Sequence, residues 1–184
     1  MRFHGALWLG IGIRLNSQWQ PIEEVVGSAL RACGSALAGH QVGTRLPADL
    51  PLVRFDAVLI ERGVLCNLLE NAARYTPPGS CIVIGTATVD AALEVTVSDN
   101  GPGLPAGRES ELFEKFTHGE KESASPGVGL GLAICKAIVE AHHGVIRAGR
   151  SAEGGAAMVF TLPPGTPPPF DPSDAEQAAM GKPA

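Results

Sequence analysis

The chain has 184 residues, enough for one domain with a sizeable core and flanking tails. Hydrophobic residues make up 45% and charged ones 18%, which excludes a disordered body. A net charge of -5 with no block of Lys or Arg excludes a general nucleic-acid binder. An anionic ligand would need local cations, and Arg74, Lys115 and Lys121 are the candidates.

In chain order, the apolar run at residues 6–13 (ALWLGIGI) lies between Arg2 and Arg14. It is too short to span a bilayer, and no small-residue cleavage site follows it. Residues 1–20 read as an irregular N-terminal segment of a cytosolic chain. A helix is expected over residues 25–37, with Glu23 and Glu24 at its N-terminal end. The turn-rich stretch GTRLPADLP leads into a short strand at 52–55.

A longer helix follows over residues 56–75, because Ile60, Val64, Leu68 and Leu65, Leu69, Ala72 recur at helical spacing. Asn67, Asn71 and Arg74 run along it at i, i+4 and i+7 as one polar stripe on an apolar cylinder. The segment TPPGS ends that helix. Strands rich in Val, Ile and Thr come next, near 81–88 and 93–98, joined by a turn at Asp90 and Ala91. DNGPGLP breaks the second strand, and a short helix is expected around 112–116.

A Gly/Ser/Glu-rich loop at 117–128 precedes an apolar helix over 130–142. Two last strands, 144–148 and 156–162, pair around the turn SAEGG. Beyond Pro163 the Pro-rich tail, residues 163–184, should be disordered. Helices alternating with hairpins predict an α/β two-layer sandwich, with about three helices on one face of a mixed, mostly antiparallel sheet of about five strands. Cys33, Cys66, Cys81 and Cys135 contain no C-x-x-C pair and read as small buried hydrophobes. The pair His142–His143 reads as helix-end chemistry, since no third ligand is near.

Four motifs stand in one order: NLLEN (67–71), DNGPG (99–103), LFEKF (112–116) and GVGLGL (127–132). Each has a physical reading. Asn71 offers a hard, neutral amide oxygen suited to Mg²⁺ that also bridges phosphates. Asn67, one turn earlier, faces the same region and reaches the metal directly or through water. Asp99 closes a strand and presents a carboxylate beside a turn in which Gly101 and Gly103 admit close approach and positive φ. That turn also fits an ordinary strand ending. Tyr75 reads equally as a core aromatic or as a ring beside a ligand. Gly127, Gly129 and Gly131, with Val128 and Leu130, come just before a helix whose free N–H groups favour phosphate.

This ordered series resembles the N, G1, F and G2 boxes of the ATP-binding domain of sensor histidine kinases, over about residues 21–162. Within that family the wording is similar to its potassium-responsive members. The resemblance implies the Bergerat-type ATP-binding fold, ATP and Mg²⁺ as cofactors, and Asn71 as the Mg²⁺ ligand. It gives Arg74 a place near the phosphates, Tyr75 one near adenine, and Asp99 the adenine amino group. The loop at 117–128 looks like an ATP lid, carrying Lys121, with Phe113 and Phe116 anchoring its base. His118 stands where close relatives often carry Arg, which puts a charge-based phosphate contact there in doubt at neutral pH.

Hydrolases of the same fold keep a Glu one turn before the metal Asn, as general base. Here that position is Asn67, which favours phosphoryl transfer, with Asn67, Asn71 and Arg74 as the catalytic set. Implied partners are a histidine-containing dimerisation domain, absent from this chain, and a downstream response regulator; no nucleic acid and no membrane contact by this chain are expected. His4 does not stand in an acceptor-helix context. The parent protein would be membrane-anchored, with this part cytoplasmic. An anti-sigma-type serine kinase and a non-catalytic nucleotide-binding module are the alternatives.

Overall fold

A computed structural model describes residues 14–104, 107, 109, 111–113 and 130–167. The expectations for residues 1–13, Lys115, Phe116, the 117–128 loop with His118 and Lys121, Gly127, Val128, Gly129 and the tail from 168 lie outside the described residues.

Seven strands and four α-helices are formed among them: β1 (Gln18–Gln20), α1 (Ile22–Ala32), α2 (Gly34–Leu37), β2 (Gln41–Arg45), β3 (Val53–Phe55), α3 (Cys66–Tyr75), β4 (Cys81–Val89), β5 (Ala92–Asp99), α4 (Leu130–Ala141), β6 (Ile146–Arg150) and β7 (Ala156–Leu162). The main sheet has the order β2-β4-β5-β7-β6. Only its β2–β4 pair is parallel; the others are antiparallel. Period-2 alternation sends Ile82, Ile84, Leu93, Val95, Val97, Phe160 and Leu162 into one core with the helices. There α3 lies on β4 and β5, α4 on β6 and β7, and α1 packs against the helix that carries the Asn residues. The expected two-layer α/β sandwich, five strands with helices on one face, is the fold observed.

Several local readings need correction. The residues read as turn, from Gly43 on, begin inside a strand: Gln41–Arg45 pairs with Cys81–Gly85, its own sequence being too polar to announce it. Gln18–Gln20 is not irregular but pairs with Val53–Phe55, so ordered structure begins before residue 21. The first helix starts at Ile22 and is interrupted at Cys33, where φ -91° and ψ 6° leave the helical range. The long helix is real, but Leu59–Leu65 is π-helical before α3 resumes the α form. Near the F box, Glu111–Phe113 forms a single 3₁₀ turn, and Phe113 is buried in the core as expected of an anchor. Three cysteines, Cys33, Cys66 and Cys135, are buried; Cys81 is half-buried, and all four are free thiols.

The β4–β5 hairpin turns on Asp90 and Ala91, both with positive φ (49° and 66°), the conformation of a tight two-residue turn. Asp tolerates this region and Ala does not, so Ala91 carries strain of roughly 1–2 kcal/mol. Ala91→Gly is expected to raise thermal stability by about 1 kcal/mol, part of the relief being offset by glycine's greater unfolded-state entropy. A lowered unfolding midpoint would contradict this reading of the turn.

Candidate nucleotide site

Asp99 ends β5 and is 7% exposed. Its Oδ1 accepts the backbone N–H of Gly101 at 2.9 Å and that of Ala156 at 3.1 Å. The Gly155 N–H donates to the Asp99 carbonyl at 3.1 Å. The carboxylate is thereby fixed by two strand ends, and Oδ2 carries its remaining acceptor capacity. Gly103 has φ +79°, as its motif predicted. Gly101 is required for a different reason: a Cβ there would meet the Thr76 methyl at 2.6 Å and Asp99 Oδ1 at 3.1 Å. Thr76 in turn closes α3 through its hydroxyl, which donates to the Ala72 carbonyl at 2.7 Å. The end of the Asn-bearing helix therefore abuts the DNGPG turn.

Sequence reading missed Gly155 and Ala156, taking SAEGG for an ordinary hairpin turn. A Cβ on Gly155 would collide with Asp99 Oδ1 and would lie 2.5 Å from the Gly101 nitrogen. The only signal in the sequence is the second glycine of the pair. The hairpin tip is braced separately: the Ser151 hydroxyl and Glu153 Oε2 lie 2.6 Å apart, and Arg45 reaches Glu153 Oε1 at 2.6 Å. The Ser151 hydroxyl and then Arg45 hold the Glu153 carboxyl below the usual carboxylate range.

On the other side of the site, Asn67 and Asn71 are both half-buried on α3. The Asn67 side-chain amide donates to the Gly63 carbonyl at 2.9 Å. Its Oδ1 would lie 2.9 Å from a Cβ on Gly131, so the glycine lets α4 approach this amide. Gly131 therefore belongs to the first turn of α4 rather than to the loop before it. The Cys135 thiol lies 3.3 Å from the same Gly63 carbonyl, which falls within the π-helical stretch. Complete burial pushes the Cys135 thiol up to about 12, so it acts as a neutral donor and not as a nucleophile.

Among the described residues, the Asn71 amide, the Arg74 guanidinium and the Tyr75 hydroxyl have no protein hydrogen-bond partner. Tyr75 is 54% exposed, which removes the core-aromatic reading. Leu130 is also exposed at the start of α4. No group of three or more His, Cys, Asp or Glu side chains able to hold a metal occurs among the described residues. An ion beside Asn71 would need ligand phosphates to complete its shell, which suits Mg²⁺ better than a metal caged by protein. The structure thus brings Gly131 against Asn67, and Thr76, Gly101 and Gly155 around Asp99, with Gly103 beside Gly155; Asn71, Arg74 and Tyr75 lie on the helix that carries Asn67 and ends at Thr76, and Leu130 opens α4.

Residues 57–166 match the family described as histidine kinase-, DNA gyrase B- and HSP90-like ATPase. The chain belongs to that family. It is similar to the sensor protein KdpD of Escherichia coli (strain K12), 48% identical over 157 residues, which is 85% of this chain and 17% of that protein. KdpD of Clostridium acetobutylicum is 40% identical over 77% of this chain and 16% of its own length. The chain thus spans about one sixth of the length of these two relatives. Among solved structures, the mycobacterial sensor histidine kinase MprB matches with TM-score 0.68 and 27% identity, over 80% of this chain and 97% of that one. The chain is an ATP-binding catalytic domain of the sensor-kinase type. No helix among the described residues is long and apolar enough to cross a membrane.

Gly155→Ala tests the geometry around Asp99. The added methyl should displace the hairpin from the carboxylate at an overpacking cost of about 1–3 kcal/mol. If half of that falls on the bound state, ATP affinity in a titration drops roughly two- to tenfold. Unchanged affinity in a folded variant would separate the hairpin from the site.

Proposed function

We propose that this chain is the ATP-binding catalytic part of a KdpD-like, potassium-responsive sensor histidine kinase. It would donate the γ-phosphate of ATP to a histidine on a dimerisation domain of the same kinase, from which a KdpE-like response regulator takes it. The parent protein is membrane-anchored in this reading, with the ATP-binding part in the cytoplasm. The domain proper runs to residue 162, followed by the Pro-rich tail.

Asp99 accepts the adenine amino group on Oδ2, with Gly101 and Gly103 letting the backbone approach the base. The exposed Tyr75 ring lies beside adenine. Asn71 holds Mg²⁺ through its amide oxygen; the ion's chemistry is to neutralise charge on the transferring phosphoryl group. Asn67 reaches the ion directly or through water and packs against Gly131. Arg74 and Lys121 supply positive charge to the phosphates. Phe116 anchors the lid, and Gly127, Val128, Gly129, Leu130 and Gly131 offer backbone N–H groups at the head of α4.

The observation that carries transfer rather than hydrolysis is Asn67. At the position one turn before the metal ligand this chain holds an amide whose nitrogen is committed to Gly63, not a carboxylate able to take a proton from water. Glu70 is exposed and off the Asn67–Asn71 stripe. Phosphoryl transfer tolerates this, because positioning and charge stabilisation supply most of its catalysis.

The test supplies labelled ATP, Mg²⁺ and a cognate dimerisation domain joined to this chain. An acid-labile, base-stable phosphohistidine is expected, and Asn71→Ala should slow its formation about a hundredfold. Acid-stable label on serine, or transfer unaffected by Asn71→Ala, would overturn the assignment.

A further inference from the structure

One stripe of α4 faces the Asn-bearing helix along its whole length. Gly131 meets Asn67 Oδ1, the Cys135 thiol meets the Gly63 carbonyl, and the Ile138 side chain occupies the space a Gly63 Cβ would need. His142, at the C-terminal end of α4, continues the same stripe at positions 131, 135, 138 and 142. It is 4% exposed, and its Nε2 accepts the backbone N–H of Asp56 at 3.0 Å. Since Nε2 accepts, Nδ1 carries the proton and donates to the Ile138 carbonyl at 2.8 Å. Both ring nitrogens are used, and the ring bridges the two helices.

Asp56 is equally committed. Its Oδ1 caps the long helix by accepting the Leu59 N–H at 3.1 Å, and its Oδ2 accepts the Asn16 N–H at 2.8 Å. The same residue therefore holds the start of the Asn-bearing helix, the end of α4 and the segment that leads into β1. Gln20 adds a second tie, its amide donating to the Phe55 carbonyl at 2.8 Å. The nucleotide reading uses none of these contacts.

We propose that Asp56 and His142 are positioning residues: their latch sets the register of the seam and so fixes where Gly131 meets Asn67. The two ends are eleven residues apart on α4, about 16 Å. A packed helix pair transmits a slip at one end to the other, because neither helix compresses. The Asn16 bond extends the latch to the segment arriving from upstream, so a pull on that segment acts on the ATP site through Asp56.

The test compares His142→Leu, which keeps bulk and loses both hydrogen bonds, with His142→Gln, which can restore a donor and an acceptor. Asn16→Pro is the milder variant, deleting one amide donor at an exposed position. Amide hydrogen exchange of the folded, ligand-free chain is the first readout and ATP–Mg²⁺ titration the second, and only the second rests on the nucleotide reading. His142→Leu is expected to speed exchange at residues 67–71 about tenfold, with β4 and β5 unchanged, and to weaken ATP about tenfold; His142→Gln should recover most of both. Asn16→Pro should move the same amides about threefold, and it decides the matter if His142→Leu does not fold. Exchange altered only within the last turn of α4, with residues 67–71 at wild-type rates, would overturn the latch. A wild-type chain that bound no ATP would remove the nucleotide reading while leaving the exchange result decisive for the latch.

Discussion

The carboxylate of Asp99 is the point on which the site depends. It is buried at the end of a central strand, where an ionised group without partners would be costly. Two backbone N–H groups reach its Oδ1, one from the turn that follows it and one from β7. Hydrogen bonds to a charged acceptor contribute about 1.5–3 kcal/mol each. They also fix direction: with Oδ1 held from two sides, Oδ2 keeps one orientation. The close approaches of Gly101 to Thr76 and of Gly155 to Asp99 follow from that arrangement. One acid thus joins the DNGPG turn, the β6–β7 hairpin and the end of the Asn-bearing helix.

The opposite wall of the site is built from packing. An apolar helix with a polar stripe would ordinarily turn that stripe to water. Here the Gly63 carbonyl, within the π-helical stretch, accepts both the Asn67 amide and the Cys135 thiol. Glycine at 63 leaves room for Ile138, and glycine at 131 leaves room for Asn67. Asn67 is thereby fixed in place, while Asn71, four residues on, keeps an uncommitted amide. The two amides look alike in sequence and differ because the Asn67 nitrogen is spent on the Gly63 carbonyl one turn back in its own helix.

Much of this was legible in the residues. The 3.6-residue recurrence of Ile60, Val64 and Leu68 located the long helix, and the ordered boxes announced the family. Gln41–Arg45 escaped because a polar edge strand paired in parallel to β4 owes its place to its neighbour rather than to its own pattern. Gln18–Gln20 escaped because three residues are too few to show alternation. The π-helical stretch has no composition of its own: Leu59–Leu65 carries the same apolar periodicity as the α-helix it leads into. Gly155 looked like any hairpin glycine; only the third dimension brings it against Asp99, fifty-odd residues earlier in the chain. His142 read correctly as a helix ending, but its partner, the Asp56 N–H, is a backbone group that no side-chain pattern can announce.

The account stands or falls on whether Asp99 reads the adenine edge. Calorimetric titration of the chain with ATP and with ITP, both with Mg²⁺, isolates that contact, because inosine presents a carbonyl where adenine presents an amino group. A site that pairs its buried carboxylate with the amino donor leaves that carboxylate facing a lone pair when ITP binds. The account predicts that ATP binds at least about tenfold more tightly than ITP, a difference of about 1.4 kcal/mol. Equal affinity for the two nucleotides would contradict it.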